Sequence, residues 1–198
     1  MEKMAVGLVA TTLIPTNLFA SAKNPYDISP YFSKTSDEEL MYLAILGETA
    51  SRLASENDPE DKESAMIAYA MKNRIGTWMG KSLRDVLLKN GFSKGKNGEI
   101  RKDENGIPKL YHQFSCFNKW DPNLEKMLNP TKHYSKEIIK KAKLVTRRVL
   151  EDKLPYLNEG QTHYHTEDTK PTWSKSTRMQ KVWTPDYFEH ILYKDTLA

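Results

Sequence analysis

The chain has 198 residues, 38% hydrophobic and 28% charged, which excludes a disordered or fibrous protein and fits one well-filled core rather than two domains. A formal net charge of +4 permits an acidic polymer as partner but is too small to point to nucleic acid. Cys116 is the only cysteine, so neither an intrachain disulfide nor a cysteine-based zinc site can form, and its aromatic surroundings predict packing rather than nucleophilic chemistry.

In chain order, a short charged start (Met1, Glu2, Lys3) is followed by an apolar run over 4–15 and a small-x-small site at Ala20, Ser21 and Ala22. This pattern predicts a signal peptide over 1–22 and an exported protein, placed in the periplasm, the cell wall or outside the cell. The apolar run is too short to span a bilayer comfortably. Residues 23–35 read as an extended leader. Ser36, with Glu39 three positions on, opens a helix whose apolar positions include Leu40, Leu43, Ala44 and Gly47. A second helix is predicted from about Asp61 to Arg74, and a short one from Ser82 through Leu88. Residues 91–111 are rich in Lys, Gly, Asn, Asp and Glu, with turn signals at Asn97-Gly98 and Asn105-Gly106, and read as a surface insertion of hairpin type. Ser135 caps a long helix to about Lys153 with a stripe of Ile138, Ala142, Val145 and Val149. Its basic remainder suits either a solvated face or an anionic polymer. Gln161 to Thr166 alternates like a strand, which puts His163 and His165 on one face and Tyr164 on the other. The aromatic segment from Trp183 to Tyr193 is expected to pack back on the core. The whole reads as a mostly helical α+β chain with a small β element.

Glu48 is the residue that points to chemistry. It is the only charged side chain between Met41 and Ser51 and borders the apolar stripe of its helix. Desolvating a carboxylate is costly, and it favours the protonated form, so a carboxyl in this setting suits an acid catalyst.

Six segments in order carry a resemblance: Gly47-Glu48, Asn73-Arg74, Gln113-Phe114-Ser115-Cys116, Thr162-His163-Tyr164-His165, Pro171 with Trp173, and His190 to Tyr193. Together they resemble the cell-wall hydrolases named for the spore-cortex-lytic enzyme SleB, over residues 40–194. The resemblance implies a lysozyme-like catalytic domain over 36–198 that acts on the glycan strands of peptidoglycan. It makes Glu48 the catalytic acid, protonating the glycosidic oxygen while positive charge develops on the sugar. In the lytic transglycosylase variant the same glutamate, once ionised, takes the proton of the muramic acid's own C6 hydroxyl and leaves a 1,6-anhydro end. That route needs no second carboxylate, no metal and no cofactor.

Two features depart from the family. The link after the Glu48 helix is long and offers only Glu56, Glu60 and Glu63 as candidates for a second carboxylate, and the 91–111 insertion is not typical of the family. The candidate substrate-binding residues are Asn73, Ser115, His163, Tyr164, His165 and Trp173. Asn73 and Ser115 suit hydrogen bonding to an N-acetyl group or capping and turn roles. Trp173 suits stacking on a sugar or packing in the core. The histidines suit shaping the sugar cleft. The expected partner is a peptidoglycan glycan strand, bound by a monomer without nucleic acid or lasting membrane insertion. Two other readings compete: a non-catalytic peptidoglycan-binding protein, and a metal-dependent amidase using His163 and His165.

Overall fold

The structure, a computed structural model, describes residues 24–198, so the signal peptide expected over 1–22 lies outside the described residues. Of the described residues 42% are helical and 14% lie in strands or bridges, and the chain is an α+β protein. Among them no helix is long and apolar enough to cross a membrane.

Helix α1 (Asp37–Leu53) is the centre of the molecule. The Ser36 hydroxyl accepts from the Glu39 N–H at 3.1 Å, and Asp37, Glu38 and Glu39 suit the positive end of the helix. The sequence suggests a one-sided stripe, but every residue from Leu40 to Leu46 is buried. A helix apolar all round in its middle must be surrounded. It is packed by α2 (Lys62–Lys72), α3 (Leu83–Leu88), α4 (Pro122–Leu128) and α6 (Lys136–Leu150), with α5 (Pro130–His133) a single turn between the last two.

Helix α2 begins at Lys62, and its left-handed N-cap residue, Asp61, makes no side-chain cap. Asp58 does that work, accepting from the Lys62 and Glu63 N–H groups at 3.0 and 2.8 Å. Helix α6 buries Ala142, Val145, Thr146 and Val149 and turns its lysines and arginines outward. Part of that basic face is structural. Lys141 donates to the Leu53 carbonyl at the end of α1 and pairs with Asp61, and Lys143 lies over the Tyr42 ring.

The leader is not extended. Residues Ser29–Phe32 form a 3-10 turn, because Ile28 and Phe32 are large apolar side chains that the core takes up completely. The insertion is a hairpin-like arm. Strands β1 (Asn90–Phe92) and β2 (Leu110–His112) pair antiparallel at its base, and bridges Lys94–Ile100 and Lys102–Pro108 fold its outer part into two small turns. The leader holds the arm, with Asn24 Nδ2 donating to the Pro108 carbonyl and the Tyr26 hydroxyl to Asp103 at 3.0 Å.

Strands β3 (His163–Thr166), β4 (Met179–Lys181) and β5 (His190–Asp195) form an antiparallel sheet in the order β3-β5-β4. Tyr164 is paired with Leu192 and Thr166 with His190, so these four share the face turned to the helices. His163, His165 and Tyr193 share the other face.

Candidate active site

Gly47 decides where Glu48 sits. A Cβ added at Gly47 would stand 2.6 Å from both Cys116 Cβ and Met127 Sδ. Only glycine lets the 3-10 turn Ser115–Phe117 and helix α4 come this close to α1. The approach brings the Cys116 backbone N–H to Glu48, where it donates to Oε1 at 3.2 Å. The helix is broken in direction at the next residue. Thr49 leaves helical geometry at φ −135°, and its hydroxyl donates back to the Ile45 carbonyl at 2.8 Å, a bond that bends helices.

The other carboxyl oxygen is held from the sheet. The Tyr164 hydroxyl donates to Glu48 Oε2 at 3.0 Å. Tyr164 packs between Phe114 and the edge of His190, with ring centroids 6.5 and 5.4 Å away. Burial, reinforced by the Glu48 charge, pushes the Tyr164 phenol well above its usual range, so it stays a donor at any ordinary pH. Burial likewise pushes the Cys116 thiol up, with Glu48 adding to the effect, and the thiol is inert and packed, as the sequence suggests.

Arg74 lies beside them. Its Nε donates to the Thr162 carbonyl at 2.6 Å and its Nη1 to Gln113 Oε1 at 3.1 Å, with the guanidinium over the Phe114 ring. Burial pulls its pKa down, and the Glu48 charge pulls it back, so a positive charge stands near Glu48. Glu48, Arg74, Gln113, Ser115, Tyr164 and Trp173 are among the residues lining a cavity of about 410 Å³. Arg74, Gln113, Tyr164 and Trp173 also line an adjoining cavity of about 390 Å³, into which His163 and Trp78 project.

The expected site residues divide. Tyr164 binds Glu48, and Ser115 lines the Glu48 cavity from an exposed position on the same turn. Trp173 is wedged against His163, His165 and Tyr193 at 5.0, 5.6 and 5.5 Å and forms the outer wall. His165 lines the Glu48 cavity and His163 the adjoining one. Asn73 stands apart: its Nδ2 donates to Asn158 Oδ1 and to the Gln161 carbonyl, which ties α2 to the segment leading into β3, and it lines neither cavity.

The two histidines are oriented by local hydrogen bonds. Each has a ring nitrogen within hydrogen-bond distance of a protein oxygen, His163 Nδ1 at the Thr162 hydroxyl and His165 Nδ1 at the Thr166 carbonyl. Burial, helped by the Arg74 charge, lowers His163 to about 4. Among the described residues no group of three or more His, Cys, Asp or Glu side chains is placed to hold a metal ion.

Glu63 is fully buried and bound elsewhere. Its Oε1 accepts from the Glu189 and His190 N–H groups, each at 2.9 Å, and lies 2.7 Å from His190 Nδ1, while Oε2 lies 2.6 Å from Arg52 Nε. Glu56 and Glu60 are exposed in the link. None of the three candidate second carboxylates lines the cavity, and among its lining residues Glu48 is the only Asp or Glu.

Arg74, Gln113 and His190 are cavity residues that sequence reasoning did not single out as site residues. Each lies within a motif segment, but the segment alone does not say which of its side chains faces the cavity. In comparisons with known proteins, no protein-family model, no curated protein and no solved structure matches the chain.

Chemically, the arrangement offers one oriented carboxyl, a neutral phenol and a backbone N–H directed at it, a nearby guanidinium and a flat aromatic wall. Such a set suits proton transfer to and from a neutral, ring-shaped substrate.

Proposed function

We propose that the chain is an exported peptidoglycan-cleaving enzyme with a lysozyme-like core, acting on the MurNAc–GlcNAc backbone as a lytic transglycosylase with Glu48 as its single catalytic carboxyl. The observation that carries this reading is that Glu48 is the only carboxyl among the lining residues of its cavity, with both oxygens held by donors from separate elements. Routes that need two facing carboxyls have no second partner there. A one-carboxyl route needs the group fixed in plane, open on its substrate side and able to serve twice. Glu48 gives its proton to the glycosidic oxygen as the bond to the sugar breaks. The resulting carboxylate keeps the Cys116 and Tyr164 hydrogen bonds, faces the cationic sugar, and accepts the C6 hydroxyl proton as that oxygen closes on C1. The proton count balances, and no water enters the step.

The test is digestion of purified peptidoglycan by the wild type and by Glu48→Gln, read by mass spectrometry of the released fragments. Anhydromuropeptides from the wild type, reduced by about 10²- to 10⁴-fold in the variant, are expected. Undiminished release by Glu48→Gln would sink the reading. Reducing ends in place of anhydro ends would move it to hydrolysis.

A further inference from the structure

We propose that the 91–111 arm and Trp120 build a second saccharide-binding subsite, remote from the cleaved bond, that holds the continuing glycan strand of peptidoglycan. The proposal rests on the cleavage reading for the identity of the strand. Tyr111 supplies the continuity: it lines the Glu48 cavity, the adjoining one, and a third of about 640 Å³ under the arm. Its ring is uncovered because the residue paired with it across the arm is Gly91, which has no side chain to lay over it. Beyond it lies Trp120, half exposed like Tyr111, with ring centroids 6.3 Å apart.

Trp120 is braced rather than loose. The Tyr26 ring meets it edge-on at 6.1 Å, and Tyr26 is itself fixed by Asp103 and covered by the Lys119 ammonium at 5.4 Å. Large aromatics left open to solvent in a row from the cleft, and held in place from behind, form a ready platform for a ligand. A pyranose fits, because its C–H face is apolar and weakly positive and the π face of the ring is negative. The wall of the third cavity carries Arg101, Lys102 and Lys109 against one carboxylate, Glu99. An excess of cations beside a sugar platform matches a glycan whose lactyl-peptide branches bear carboxylates.

The experiment uses Trp120→Ala, an exposed position outside the catalytic machinery, and the double variant Arg101→Ser with Lys102→Ser on the arm. Co-sedimentation with insoluble peptidoglycan is measured in the Glu48→Gln background, so that binding is read without cleavage. Turnover in the Glu48 background is measured on insoluble peptidoglycan and on a soluble two-disaccharide fragment. Adding Trp120→Ala should weaken sedimentation roughly 5-fold, and the double variant should weaken it further as salt is lowered. Turnover of the short fragment should stay unchanged while that of the polymer falls. Equal sedimentation with and without Trp120, or equal losses on polymer and fragment, overturns the subsite. Trp120-dependent binding by a wild type that cuts neither substrate would leave the subsite standing and remove the cleavage reading.

Discussion

At the scale of the residue, the position of Glu48 depends on an atom that is absent. Gly47 has no Cβ, and the space that a methyl group would need is taken by Cys116 and Met127. Gly47→Ala forces the Ser115–Phe117 turn and α4 away from α1, with an overpacking cost of about 1–3 kcal/mol. The same movement takes the Cys116 N–H from Glu48 Oε1. The expected outcome is a lower midpoint in urea together with a fall in kcat larger than the change in KM. Unchanged kcat in a well-folded Gly47→Ala protein would show that the Cys116 donor does not orient the acid.

At the scale of the element, the sheet and the helices are joined through one buried network. Glu63 on α2 binds Arg52 on α1 and both the backbone and the ring of His190 at the start of β5. Burial works against the Arg52 charge, but Glu63 and Glu189 outweigh it and hold its pKa up. Glu63→Ala leaves Arg52 with only Glu189 and the Tyr187 carbonyl and takes the acceptor from the Glu189 and His190 N–H groups, and its expected cost is about 3 kcal/mol, measured by equilibrium unfolding. His190 packs on Tyr164, so the variant also loosens the donor to Glu48, and activity should fall even where the protein remains folded. Much of the element pattern was legible in the sequence. Ser36, Ser82 and Ser135 announce α1, α3 and α6, and in each case the serine hydroxyl accepts from a backbone N–H in the first turn. Alternation alone separates Tyr164 from His163 and His165. What was not legible came from long-range packing. Glu63 reads as one of several acids in a polar link, and nothing local marks it as buried against residues more than a hundred positions later. The leader reads as extended because the burial of Ile28 and Phe32 is decided by helices that follow it. Arg74 and Asn73 are adjacent at the end of α2, and only the placement of β3 assigns one to the cavity and the other to a brace.

At the scale of the whole molecule, the charge states of the buried His112 and the half-buried His163 set an acid limit. Burial lowers both His112 and His163, the latter to about 4, with Arg74 contributing to His163. A base whose folded pKa is depressed is neutral in both states at high pH. Below about 6.5 the unfolded chain takes up the proton and the folded one does not, so stability falls as pH drops toward 4 and then levels for that group. After allowance for its partial exposure, His163 accounts for about 2 kcal/mol. Thermal unfolding between pH 7 and 4.5 should show this loss, and His163→Gln should flatten part of the slope. A slope unchanged by the substitution would assign the acid sensitivity to other groups.

The contact between α1 and the Ser115–Phe117 turn also makes the molecule its own clock. Cys116 is completely buried there and its thiol stays protonated, so a thiol reagent reaches it only when the two elements part. Each such parting is also a moment in which Glu48 lacks its backbone donor. The labelling rate of this single thiol in the native protein therefore counts how often Glu48 is without that donor.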